Sequence, residues 1–185
     1  SDRGNKAPDD RRDDSQAKIL DLHKEDATIP DNLLEDWRIL LVNSDNPVPK
    51  DYSVKLTTIV GDVRFDERAA DDFKNLLKDC RQETGSRLRP RTGYRSKETQ
   101  DGIYKDKIRK HMDRGKTREE AKKLTEKYIA VPGTSEHEIG LAVDFNTLKA
   151  EFENTQAFKW LDANAHKYGF ILRYPEDKQF ITKIK

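Results

Sequence analysis

The chain has 185 residues, of which 34% are hydrophobic, and this length and composition are typical of one domain with a modest core. Its 36 lysines and arginines nearly balance its 35 aspartates and glutamates. The resulting net charge of +1 provides no overall positive field for holding nucleic acid, so composition argues against that partner. No apolar run in the sequence approaches the length that crosses a membrane.

Residues 1–31 differ in composition from the rest of the chain. They are almost all polar or charged, and such a segment cannot bury enough apolar surface to offset the entropy of ordering it. We therefore predict a disordered linker at 1–31 and a folded domain at 32–185.

The predicted domain mixes strands and helices without a regular alternation. Strands are expected at 37–42, 54–60, 140–145 and 170–174, and the basic segment 87–95 is expected to end as a strand. Helices are expected at 66–81, 96–113, 117–130 and 155–168. Because no βαβ repeat is present, the pattern favours an α+β class with a small antiparallel sheet and helices packed on it.

Helical spacing of the apolar residues predicts which faces are buried. The inward positions are Phe73, Leu76, Leu77 and Cys80 in the first helix, Ile103, Tyr104 and Ile108 in the second, and Ala121, Leu124 and Tyr128 in the third. The single cysteine excludes an internal disulfide, and its place on an apolar face indicates a buried structural thiol.

The segment 132–145 concentrates residues that carry chemistry. From Gly140 onward, large apolar residues alternate with small ones, so Asp144 is expected on the small-residue face of a half-buried strand. His137 lies just before that strand, so an imidazole and a carboxylate can converge on one side of the sheet. A zinc site needs at least three protein ligands and two are visible, so a hydrogen-bonded histidine and a strand-ending aspartate remain the alternative interpretation.

Ser135-Glu-His137-Glu-Ile-Gly-Leu-Ala-Val-Asp144 resembles the S-x-H-x-x-G-x-A-x-D signature of VanY-type D-alanyl-D-alanine carboxypeptidases, zinc peptidases related to VanX dipeptidases and L,D-carboxypeptidases. Three further blocks, in the family's order, strengthen the resemblance. They are Leu41-Val-Asn43 with Asn46-Pro47-Val-Pro49, Thr92-Gly-Tyr-Arg-Ser96 with Gln100, and Trp160-Leu161 with Tyr168-Gly-Phe-Ile-Leu-Arg-Tyr-Pro175. The resemblance extends from about Leu34 to Lys185 and implies the zinc-peptidase fold of this group.

The resemblance implies a zinc ion held by His137, Asp144 and a third ligand, the histidine of a C-terminal E-x-W-H motif whose glutamate is the general base. No E-x-W-H occurs in the sequence, which stops at Lys185 where the family would next present that motif. We expect the third ligand and the base beyond Lys185; a non-catalytic relative is the alternative.

The resemblance also implies roles for three polar residues. Arg95 is expected to bind the substrate carboxylate or the oxyanion of the scissile carbonyl, since its planar guanidinium bonds carboxylates bidentately and stays charged. Gln100 and Ser135 are expected to help hold the peptide. From the residues alone, Arg95 would be a solvated cation and Gln100 an exposed helical residue.

The function implied is a zinc-dependent D,D-carboxypeptidase that removes a C-terminal D-alanine from peptidoglycan stem peptides. An L,D-carboxypeptidase acting on tetrapeptide stems is the alternative within the class, and a non-catalytic module that binds stem peptides is the alternative outside it. The family resemblance further implies a cell-envelope, extracytoplasmic location, with membrane anchoring only through a segment outside this sequence.

Overall fold

The computed structural model describes residues 36–145 and 150–173. The chain divides into two units, with the boundary between Leu40 and Leu41. In the first unit, the described residues form a 3₁₀ turn, Trp37–Ile39, capped by Asp36. The predicted strand at 37–42 is therefore wrong. The side chain of Asp36 accepts a hydrogen bond from the Arg38 backbone amide, which favours a turn over an extended chain.

Two antiparallel strand pairs form the β structure of the second unit. Strands β1 (Leu56–Val60) and β2 (Val63–Asp66) form a hairpin, and β3 (Pro90–Thr92) pairs with β4 (Asp144–Phe145). The amide of Tyr94, just after β3, donates to the carbonyl of Arg64 in β2 at 2.7 Å. The chain after β3 thus lies beside the hairpin.

Four α-helices surround these strands within the described residues: α1 (Ala70–Thr84), α2 (Lys97–Met112), α3 (Arg118–Glu126) and α4 (Gln156–Asn164). Each helix begins near its predicted position. Gly85 ends α1 with a left-handed φ of 68°, and Thr117 and Glu120 form the expected capping box of α3. The predicted α+β class is confirmed.

The hydrophobic core lies between α1, α4 and β2. Phe65, Phe73, Leu76, Cys80 and Trp160 are buried there, with partly buried Val143 and Phe145 packed against them. The buried free thiol of Cys80 agrees with its predicted structural role. Polar bonds close the edge of the core: Trp160 Nε1 donates to Glu83 and the Tyr168 hydroxyl donates to Asp79, each at 2.7 Å.

Some predicted details are wrong. Strand β4 covers only the last two residues of 140–145, because Gly140 instead adopts a left-handed φ of 75° that ends a 3₁₀ helix, Glu136–Ile139. Residues 170–173 form no strand, and residue 174 lies outside the described residues. Helix α3 ends at Glu126 rather than near 130, and Ile103 and Tyr128, expected to point inward, are exposed.

The predicted linker at 1–31 lies outside the described residues, so the predicted domain division remains a prediction. Among the helices that are described, none combines the length and apolar character needed to cross a membrane.

Candidate metal centre

Three segments that are distant in sequence meet at the end of β3. Thr92 of β3 pairs with Asp144 of β4, and residues 93–95 continue from β3 toward the 3₁₀ helix that carries His137. The Arg95 amide donates to the His137 carbonyl at 3.0 Å and fixes the spacing of the two segments. His137, Asp144 and Arg95 are thereby brought together, as the sequence predicted.

The imidazole of His137 is oriented by the backbone. Its Nδ1 lies 2.8 Å from the Gly93 carbonyl, and a carbonyl can only accept, so Nδ1 carries the proton. Nε2 is then the nitrogen with the free lone pair, and it lies 3.4 Å from Oδ2 of Asp144. This is the tautomer and orientation that a metal-binding histidine requires.

Asp144 is held ionised at the same point. Burial raises the pKa of its carboxyl, but the hydrogen bond and positive charge that His137 supplies when protonated, the charge of Arg95 and a hydrogen bond from Thr92 outweigh burial and lower the pKa below its usual value. A carboxylate and an imidazole are donor types that suit zinc, which binds the carboxylate ionised and the imidazole in its neutral form.

The separation of the two donor atoms also fits zinc. Ligands of a tetrahedral zinc bound at about 2.0–2.1 Å lie about 3.3–3.4 Å apart. The observed distance between Nε2 of His137 and Oδ2 of Asp144 is 3.4 Å. Within 36–145 and 150–173, no group of three histidine, cysteine, aspartate or glutamate side chains is placed to hold a metal ion. His166, a conceivable alternative, is exposed on the 3₁₀ turn Ala165–Tyr168.

Arg95 is positioned by a buried amide. Its Nη1 donates to Oε1 of Gln100 at 2.6 Å, and Nε2 of Gln100 donates to the carbonyl of Ala130 at 2.7 Å. Gln100 is only 1% exposed, and both ends of its amide are bonded within the protein. Its predicted contact with the peptide stays a prediction, whereas its contact with Arg95 is direct. The guanidinium lies 3.8 Å from Asp144.

Ser135 and Glu138 cap the 3₁₀ helix that presents His137. The Ser135 hydroxyl accepts from the His137 amide, and the Glu138 carboxylate accepts from the amides of Gly133 at 2.9 Å and Ser135 at 3.3 Å. Both side chains are buried. Glu138 was not among the predicted site residues, although the S-x-x-E spacing of a capping box is present at 135–138.

One further contact and one steric restriction hold these segments in place. The Glu136 carboxylate accepts from Arg173 Nε at 2.9 Å, which ties the His137 turn to the chain that follows α4. A Cβ at position 93 would lie 2.2 Å from the Arg64 carbonyl, so only glycine fits where the His137 ring is anchored. No spacing rule in the sequence indicated the Glu136–Arg173 pair, because its members are 37 positions apart.

Comparison with known proteins identifies the family. Residues 62–185 match the model of the VanY family of D-alanyl-D-alanine carboxypeptidases. A D-alanyl-D-alanine carboxypeptidase of Enterococcus faecalis is 37% identical over 150 residues, which cover 81% of this chain and 56% of the relative. The chain thus spans little more than half the length of that curated relative.

Solved structures agree with this match. VanYB in complex with D-alanine-D-alanine superposes with a TM-score of 0.73 at 37% identity, covering 81% of this chain and 82% of that chain. A mutant of the vancomycin-resistance D,D-pentapeptidase VanY in complex with Zn(II) gives a TM-score of 0.71 at 37% identity, covering 81% and 84%. The chain therefore belongs to the VanY family of D-alanyl-D-alanine carboxypeptidases.

Proposed function

We propose that the protein is a zinc-dependent D,D-carboxypeptidase that releases the terminal D-alanine from peptidoglycan stem peptides. The observation that carries the proposal is the convergence of His137 Nε2 and Asp144 Oδ2, 3.4 Å apart, with the Arg95 guanidinium beside them. The zinc and the D-alanine-D-alanine bound in the two similar structures support this choice of metal and substrate.

His137 and Asp144 would supply two of the zinc ligands. When bound, zinc supplies Lewis-acid polarisation of a carbonyl and lowers the pKa of a water molecule. The contribution of this chain is to point the two ligands at one place and to keep the carboxylate ionised. The Gly93 carbonyl orients the ring of His137, and Thr92 and Arg95 stabilise the ionised carboxylate of Asp144.

Arg95 would bind negative charge on the substrate. Its side chain is 16% exposed, so the guanidinium is partly desolvated while still accessible from the site. A fixed cation in such a position stabilises a carboxylate in the ground state or an oxyanion that develops during the reaction. Gln100 would act as a positioning residue, because its amide accepts a hydrogen bond from Arg95 and is itself fixed by donating to the carbonyl of Ala130.

The proposed substrate also implies a place of action outside the cytoplasm, where peptidoglycan lies. Anchoring of the protein to a membrane remains a prediction.

The proposal is tested by measuring D-alanine release from two synthetic stem peptides, a pentapeptide ending in D-Ala-D-Ala and the tetrapeptide one residue shorter. The full-length protein should release D-alanine from the pentapeptide, lose this activity with a chelator and regain it with zinc. Faster release from the tetrapeptide would instead identify an L,D-carboxypeptidase. Tight binding of the pentapeptide without release, in the presence of zinc, would identify a binding module.

A further inference from the structure

A second concave surface, the basic groove, lies apart from His137 and Asp144. It has a volume of about 850 Å³ and is lined by the outer face of α1 and by residues 87–91. Five of its lining side chains are cationic: Lys78, Arg81, Arg87, Arg89 and Arg91. Among the described residues that line the groove, none is acidic.

The local fold explains why positive charge collects here. Leu88 is buried in the core and Pro90 is half-buried, whereas the arginines at 87, 89 and 91 are exposed. This period-2 alternation places three arginines on one face, with successive Cα atoms about 6.6 Å apart in an extended chain. A repeating cation at this interval suits a repeating anion.

The carboxylates of α1 point elsewhere. Asp79 accepts from the Tyr168 hydroxyl and Glu83 accepts from Trp160 Nε1, so both face the 165–168 turn and α4. Lys78 and Arg81 therefore line the groove without a neutralising acid from their own helix. Within the described residues, Lys78, Arg81, Arg87 and Arg91 make no ion pair with a carboxylate.

The uncharged residues that line the groove indicate which kind of polyanion would fit it. Single-stranded nucleic acids are typically held by aromatic side chains that stack on the bases. The described residues that line the basic groove include no aromatic side chain, and its accessible apolar lining consists of Val60, Leu77 and Pro90. Such a surface suits an aliphatic linker between phosphates better than it suits bases. Arginine also bonds phosphate oxygens in a bidentate manner, which favours a phosphate polymer over a scattered negative surface.

We propose that the basic groove binds a phosphodiester polymer with an aliphatic repeat, of the poly(glycerol phosphate) type. The choice of this polymer rests on the proposed function, because a peptidoglycan hydrolase works among the anionic polymers of the cell wall. Binding there would hold the enzyme at its insoluble substrate without occupying the metal centre.

The test is the affinity of the full-length protein for fluorescently labelled poly(glycerol phosphate), measured by anisotropy at low and at physiological salt. Affinity should fall as salt rises, since each phosphate contact releases a counterion. The triple variant R87Q/R89Q/R91Q should raise the Kd at least about tenfold and weaken the salt dependence. The double variant K78Q/R81Q, on the helical side of the groove, should also raise the Kd and weaken the salt dependence.

A matched triple variant, R109Q/R114Q/R118Q, removes the same charge from exposed positions of α2, of α3 and of the turn between them, and should change the Kd by less than about twofold. Equal losses in the two triple variants, or no loss in the groove variants, would overturn the proposal. Tighter binding of poly(U) or polyglutamate than of poly(glycerol phosphate) would reject the proposed occupant.

D-alanine release from a short soluble stem peptide should be unchanged in all these variants. If the polymer binds through the groove but the protein has no peptidase activity, the groove proposal is supported and the proposed function is rejected. If the protein has peptidase activity but the polymer does not bind through the groove, the proposed function is supported and the groove proposal is rejected.

Discussion

The hydrophobic core and the candidate metal centre are built in different ways. The core joins α1, α4 and β2 through buried apolar side chains such as Phe73 and Trp160. The metal centre is positioned by hydrogen bonds, among them those that the Glu138 carboxylate accepts from backbone amides and the one that the Gly93 carbonyl accepts from His137. The free energy of burying an apolar side chain depends little on its orientation, whereas a hydrogen bond requires a particular orientation of donor and acceptor. We therefore expect core substitutions to change stability and metal-centre substitutions to change metal binding and catalysis.

The largest expected effect is in the core. Phe73 is fully buried and its ring packs 5.0 Å from that of Phe65. Phe73→Ala should lower the free energy of unfolding by about 3–5 kcal/mol, since it leaves a cavity as well as losing buried area. Urea unfolding measures this loss, and Ile171→Ala, at an exposed residue, should change stability by less than about 0.5 kcal/mol. A small loss of stability in Phe73→Ala would contradict the expectation that core substitutions act mainly on stability.

Arg95 should show the opposite pattern. Arg95→Lys keeps the charge but not the fork that meets Gln100 and Asp144, so kcat/KM for the pentapeptide should fall about 100-fold with little change in urea stability. Arg91→Lys, in the neighbouring strand β3, is the matched control and should retain activity. Near-normal turnover by Arg95→Lys would show that the arginine fork is not needed to bind the substrate carboxylate or oxyanion.

The two capping boxes found among the described residues allow a paired test of smaller size. Glu138→Ala removes buried acceptors behind the His137 turn and should cost about 1–3 kcal/mol of stability and about tenfold in zinc affinity. Glu120→Ala breaks the same motif on exposed α3 and should cost less stability than Glu138→Ala, with zinc affinity unchanged. Equal effects on zinc affinity would mean that the cap at 138 does not orient His137.

The smallest expected effect is a titration at the edge of the core. The hydrogen bond to Asp79, with burial and nearby negative charges, raises the pKa of Tyr168 to about 12. Because the folded pKa lies above that of the unfolded chain, this contribution to stability is present below about pH 10 and is lost as pH rises toward 12.

Ultraviolet titration measures this tyrosine as the difference between wild type and Tyr168→Phe. In Asp79→Asn the pKa of Tyr168 should fall toward 10, and an unchanged value would exclude Asp79 as its main cause.

The sequence was sufficient for those features that depend on local patterns. Helical spacing located α1, the capping box located the start of α3, and the motif around His137 and Asp144 indicated two groups that the structure does bring together. The turn at 37–39 escaped prediction because the Asp36 side chain offers an alternative bond to the backbone. Strand β4 is shorter than its alternating pattern, since Gly140 is needed in a left-handed conformation to end the His137 turn.

Long-range contacts within the site could not be predicted from sequence patterns. Anchoring of His137 by Gly93 joins residues 44 positions apart, and Glu136 meets Arg173 over 37 positions. A sequence pattern can identify which residue types carry chemistry, but not which distant backbone group orients them. The burial of Gln100 behind Arg95 is a further example, because its place in α2 favoured an exposed side chain.

The central claim is that His137 and Asp144 form part of one zinc site. Its most direct test is the zinc content of the purified full-length protein, wild type and two histidine variants, by elemental analysis. We predict about one zinc per chain in wild type and in His166→Ala, an exposed-histidine control, and none in His137→Ala, which should keep its fold. Stoichiometric zinc retained by folded His137→Ala would contradict the account and return His137 to a hydrogen-bonded structural role.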